Sequence, residues 1–161
     1  MRPTKYLSIY LNDHLAALTA LAAVARRSAR SNRGTDLGRY LEEVAEEISD
    51  ANRRMADLAG DAGVRRDPFK RGAAWAAEKL GRLKLNGHLF RYSPLSRVLE
   101  LEGLMAGAEL ERATWGALAQ ATGRDLADLA ERCERRRERL AEQHAGAIQA
   151  ALGRGTTSPT R

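Results

Sequence analysis

Apolar residues recur at helical spacing along most of this chain. From about Tyr6 to Arg30, Leu7, Leu11, Leu18, Leu21 and Ala25 form one seam, with His14 in its centre. Ser31-Asn32-Arg33-Gly34 ends this first helix, and Thr35 or Asp36 can cap the next. The second helix runs to about Ala59, its apolar series Leu37, Leu41, Val44, Ile48, Ala51, Met55 and Leu58. Glu42, Glu43, Glu46, Asp50, Arg53 and Asp57 take its outer face, Glu47 lies on the border, and Asn52 falls inside the apolar arc. Gly60 and Gly63 stop it. Asp67-Pro68 reads as a cap followed by proline at the first helical position, opening a shorter helix to about Leu85. A third long helix spans Ser93-Pro94 to Thr122. The fourth follows the Asp125 cap to about Leu152, on an inner stripe of Leu126, Ala130, Cys133, Leu140, Ala147, Ile148 and Ala151. Arg137 and His144 interrupt that stripe.

The third helix carries the pattern of most chemical interest. At about 100° per residue, Leu95, Val98, Leu99, Met105, Ala106, Ala113 and Gly116 share one arc with Glu102 and Glu109. Glu100 and Glu111 fall opposite, with Ser96, Gly103, Gly107 and Thr114. Glu102 and Glu109 are therefore expected inward, and a buried carboxylate needs a partner. The small residues Ser96, Gly103, Gly107, Thr114 and Ala121 are expected to let the connecting helix or a second subunit approach closely.

Length and composition fit one all-α domain over residues 1–152, with a disordered tail at 153–161. Cys133 is the sole cysteine, which rules out an intramolecular disulfide and a thiolate cluster. No stretch reads as a signal peptide or a membrane span, so the cytoplasm is the expected location. The formal charge of +6 gathers in the connection. There Arg65, Arg66, Lys70, Arg71, Lys79, Arg82, Lys84 and Arg91 face only Asp61, Asp67 and Glu78.

Two helical hairpins joined by one long connection is how a ferritin-like bundle is wired. YLNDHLAAL, LEEVAEEISDANRRMADLAGDAGV and SPLSRVLELEGLMAGAELERATWGAL resemble sequences of an uncharacterised bacterial type of the ferritin-like superfamily. The resemblance implies a ferritin-like four-helix bundle over about Tyr6 to Leu152, in which the first and fourth helices run parallel. Its di-iron members carry a Glu on two helices and Glu-x-x-His on the other two. Here Glu47 is followed at that spacing by Asp50, Glu102 by Met105, Glu109 by Arg112 and Glu134 by Arg137. The metal signature is absent as written, so no cofactor is expected.

The candidate interior polar cluster is His14, Glu47, Asn52, Glu102, Glu109, Arg137 and His144. At about 1.5 Å per residue, Glu109 and Arg137 share one level of such a bundle and Glu102 and His144 another, which predicts two buried register-fixing pairs. The alternative is a divergent metal site on Glu47, Glu102 and Glu109. Cys133 reads as a small core residue and His88 as a structural loop histidine. On the connecting helix, Arg71, Trp75, Lys79 and Arg82 form a candidate binding surface for a partner protein or an anionic ligand. Arginine-rich, alanine-rich composition reflects high-GC coding as readily as nucleic-acid binding, so nucleic acid is not the favoured partner. The expected role is non-enzymatic, acting through a binding surface, with a homodimer possible. The alternatives are a di-iron-type oxidoreductase or iron-handling protein, and binding of an anionic polymer.

Overall fold

The computed structural model describes residues 4–64 and 92–153. Four long helices make up nearly all of them: α1 (Lys5–Ser31), α2 (Asp36–Asp61), α3 (Pro94–Thr122) and α4 (Ala127–Leu152). No strand occurs among the described residues. The protein is an all-α four-helix bundle, as its periodicity predicts.

Local chemistry explains the ends. Thr4 and Thr35 cap α1 and α2 by accepting from the amides of Leu7 and Gly38. Ser93 and Ser96 form a reciprocal capping box at the start of α3, with Pro94 in the first turn, where its missing N–H costs nothing. Gly123, at φ 68°, closes α3 in the left-handed region that glycine enters freely. Asp125 accepts from the Ala127 amide at 3.1 Å, but α4 starts later than its cap position implied, behind Leu126. The α1–α2 turn needs Gly38, because a Cβ there would sit 2.3 Å from the Asn32 carbonyl oxygen.

Contacts between helices fix their directions. Asn32 meets Tyr92, Arg27 meets Glu100 and His14 meets Thr114, so α1 and α3 are antiparallel. Asp61 meets Arg124, Glu47 meets Arg136 and Glu43 meets Arg139, so α2 and α4 are antiparallel too. With both hairpins antiparallel, α1 is parallel to α4 and α2 to α3. Chain leaves α2 beside the start of α4 and re-enters at Tyr92, beside the end of α1. Those two points lie the length of α2 apart, about 39 Å at 1.5 Å per residue.

Trp115, Leu11, Leu41, Met55, Leu101, Leu104, Leu118 and Leu140 are the largest fully buried side chains. They fill the hairpins and the α1–α3 side, where Gly107 lets the Leu21 side chain lie flat against the α3 backbone. Of the four helix pairs in contact among the described residues, α2 and α4 pack least, and a cleft of about 520 Å³ opens between them.

Three expectations are corrected here. α3 is turned by about half a revolution from its expected phase: Val98, Leu101, Leu104, Gly107, Ala108, Glu111, Thr114, Trp115 and Leu118 face inward. Both arcs of α3 are apolar, so periodicity alone was balanced, and bulk decided it by burying tryptophan and three leucines. Gly107 and Thr114 of the small-residue stripe consequently meet α1. On α4, Arg136 replaces Arg137 as the inward arginine. Finally, α1 is long and apolar enough, by length and composition alone, to cross a membrane. Asp13 is its one Asp, Glu, Lys or Arg between Tyr6 and Ala25, while Leu11, Leu18, Ala22 and Ala25 of the same helix lie in the core.

The shorter helix expected over Pro68–Leu85, His88 and most of the tail expected at 153–161 lie outside the described residues.

Candidate functional site

The inward turn of α3 brings Glu111 to the bundle interior, one helical turn before Trp115. Arg136 reaches it from α4. The Glu111 side chain is 3% exposed and that of Arg136 4%. Each carboxylate oxygen has its own donor: Trp115 Nε1–H donates to Oε1 at 3.2 Å, and Arg136 Nη2 donates to Oε2. The carboxylate, held by an indole and a guanidinium, thus has both oxygens satisfied by the protein. Arg136 Nη1 points towards Glu47, 3.7 Å away on α2, whose side chain is 46% exposed.

Other groups close round this pair. The Tyr40 hydroxyl donates to the Arg136 carbonyl oxygen at 3.2 Å, and the Arg139 guanidinium lies 4.4 Å from the centre of the Tyr40 ring. Burial pushes the Tyr40 phenol up to about 12, with Arg139 pulling the other way. The Cys133 thiol donates to the Leu129 carbonyl at 3.1 Å, and burial, then Glu111, push its pKa far upward. Such a thiol is protonated at neutral pH and is a core group, not a nucleophile.

The expected interior cluster is distributed differently. Glu102 and Glu109 are about half exposed, at 50% and 48%. Glu102 does meet His144, at 3.1 Å, on the rim of the bundle. Glu109 pairs with Arg112 on its own helix, and Arg137 with Glu134, so the predicted buried Glu109–Arg137 pair does not form. The phase error on α3 accounts for this, since turning that helix exchanges Glu102 and Glu109 for Glu100 and Glu111. Glu100 now lies inward and holds Arg27 at 2.7 Å.

His14 and Asn52 take separate posts. Asn52 Nδ2 donates to Thr19 Oγ1 at 2.8 Å and to the Leu15 carbonyl at 3.2 Å, tying α2 to α1. His14 Nδ1 is 3.0 Å from Thr114 Oγ1. That hydroxyl gives its one hydrogen to the Leu110 carbonyl, so the imidazole is the donor. Burial lowers the His14 pKa, partly offset by Asp13.

The residues do not fit a metal. Among the described residues no three His, Cys, Asp or Glu side chains come together to hold one. Glu47, Glu102 and Glu109 each reach a different basic partner: Arg136, His144 and Arg112. Where Glu47 and Glu111 approach from opposite helices, the Arg136 guanidinium occupies the position between them. Arg71, Trp75, Lys79 and Arg82 lie outside the described residues.

Glu111, Arg136 and Trp115 were missed from sequence, though a signal was present. Positions 101, 104, 108, 111, 115 and 118 alternate spacings of three and four, with Glu111 as the one charged member. The series 129, 133, 136 and 140 does the same on α4, with Arg136.

Above the pair, the α2–α4 cleft is walled by Arg53 and Arg54 on one side and by Arg132, Arg135 and Arg139 on the other. Compared with known families, curated proteins and solved structures, the chain has no significant match. Its class is therefore given by its own architecture, an all-α four-helix bundle with a buried arginine–glutamate pair beneath an arginine-lined cleft.

Proposed function

We propose that this is a ferritin-like bundle of non-enzymatic type, acting through a binding surface. The ferritin-like reading draws support from α1 and α4 running parallel and from the long passage between α2 and α3. One observation carries the non-enzymatic part. Glu111, the buried carboxylate, has both oxygens committed to Trp115 and Arg136, and the guanidinium supplies the positive charge that a metal would bring. That arrangement favours register and stability over turnover. The binding surface we favour is the α2–α4 cleft, whose volume of about 520 Å³ lies within the range of small-molecule sites.

The test is metal analysis of protein purified without chelators, alongside the Glu111→Gln variant. The reading expects no stoichiometric iron, manganese or zinc in either. One or two metals per chain, lost from the variant, would replace it with a metal-dependent oxidoreductase or iron-handling protein.

A further inference from the structure

The α2–α4 cleft exists because these two helices close against each other with little apolar side chain between them. Among the described residues, Ala51 and Leu129 are its only uncharged lining residues. The rest are six arginines against four acids, a local excess of two positive charges. The surrounding frame has the opposite balance. Among the described residues there are 16 lysines and arginines and 19 aspartates and glutamates, a net charge of −3.

At the floor, Arg136 spends Nη2 on Glu111, while Nη1 stands 3.7 Å from Glu47, too far for a hydrogen bond. A guanidinium that is almost wholly buried thus keeps a donor edge on the cleft. On α2, Arg53 and Arg54 share Asp50 at 3.0 and 2.9 Å, with 70% of the Arg53 side chain exposed. The α4 arginines are more loosely engaged. Arg132 is 4.0 Å from Asp128, Arg135 is 3.5 Å from Glu131 and Arg139 is 3.4 Å from Glu43, all with more than half of the arginine side chain exposed. Exposed pairs of this kind are worth about 0–1 kcal/mol and exchange readily for an incoming anion. The planar fork of arginine matches phosphate and carboxylate oxygens two at a time.

We propose that the cleft binds a compact polyanion, a small molecule bearing two or more phosphate or carboxylate groups, which bridges Arg53 on α2 to Arg132 and Arg135 on α4 above Arg136. This deepens the binding-surface reading and rests on it. The bound anion supplies the contacts that α2 and α4 do not make with each other.

The experiment uses the full chain with Trp75→Phe, so that fluorescence reports Trp115, whose indole is bonded to the Glu111 carboxylate. Inorganic pyrophosphate and citrate are titrated separately at constant ionic strength, with calorimetry in parallel. Saturable one-to-one binding of either is expected, pyrophosphate alone assigning phosphate chemistry and citrate alone carboxylate chemistry. Arg132→Ala with Arg135→Ala, both at the surface, should weaken it about tenfold or more, the loss of one or more charge-assisted bonds, with the helical circular dichroism unchanged. Arg112→Ala, outside the cleft, should leave it intact. No saturable binding, or binding equal in the double variant, overturns the proposal. So does binding of a single-stranded oligonucleotide alone, which would place anion recognition on another surface. Metal found in the purified protein sinks the non-enzymatic reading but leaves these titrations interpretable, so the two fail separately.

Discussion

Arg136 and Glu111 are worth more to each other than to the bundle. Removing either leaves the other as an unpaired charge in the interior, a loss of about 3–5 kcal/mol, whereas replacing both by apolar side chains of similar volume is often close to neutral. Arg136→Met should therefore lower the urea midpoint severely, and adding Glu111→Leu should recover most of the loss; if the double variant is as unstable as the single, the pair is not the reason. His14 makes a separate statement about pH. Its pKa is lowered in the folded state, mainly by burial, so the unfolded chain binds its proton more readily. The stability this residue contributes is complete above the unfolded value near 6.5 and is lost as pH falls through the folded pKa. Denaturation midpoints should drop from pH 7.5 to pH 5, and His14→Gln should flatten that slope. Residue types were readable in the chain while their orientation was not: four glutamates on α3 look alike in sequence, and only the burial of Trp115 decides which two turn inward.

Each helix is set by a different local device, and glycine shows how much depends on what it faces. A Cβ at position 38 would meet the Asn32 backbone, and one at 107 would lie 2.5 Å from Leu21 Cδ2, the movable end of a side chain. Gly103 has nothing within 4 Å. Gly38→Ala should thus be the most damaging of the three, Gly107→Ala should cost about 1–3 kcal/mol by overpacking, and Gly103→Ala should stabilise by about 0.4–1 kcal/mol. Thermal melts of the three variants check the order; a stabilised Gly38→Ala would mean that the α1–α2 turn is looser than described. Most helix ends were legible because caps and breakers are local chemistry: Thr35, Ser93-Pro94 and Gly123 act on atoms within a turn of themselves, while α4 begins behind Leu126 and not at the expected Asp125 cap. The inward face of α3 is decided by residues over 80 positions away on α1, such as Leu21, and by the partner on α4. No window along one helix contains that information.

At the scale of the molecule, two hairpins with apolar interiors meet along α1–α3 through side-chain packing and along α2–α4 through charge. The first kind of contact holds at any ionic strength. The second weakens with salt, because exposed pairs such as Glu43–Arg139 and Asp61–Arg124 are screened over about 8–10 Å. The net charge of +6 misdescribes this frame, which is acidic among the described residues; the chain's excess of cations lies in the rest of the sequence. The parallel course of α1 and α4 has a mechanical consequence. Thr4 lies at the end of the bundle where α2 finishes, and Gly153 at the end where α2 begins. Tension between those two residues runs along the helix axes, so the hairpins must slide past one another with many side-chain contacts loaded together. Tension applied at Asn32 and Tyr92, which touch at one end, instead peels the hairpins apart one contact after another. The same four helices are therefore stiff to a pull from end to end and weak to a pull at one corner.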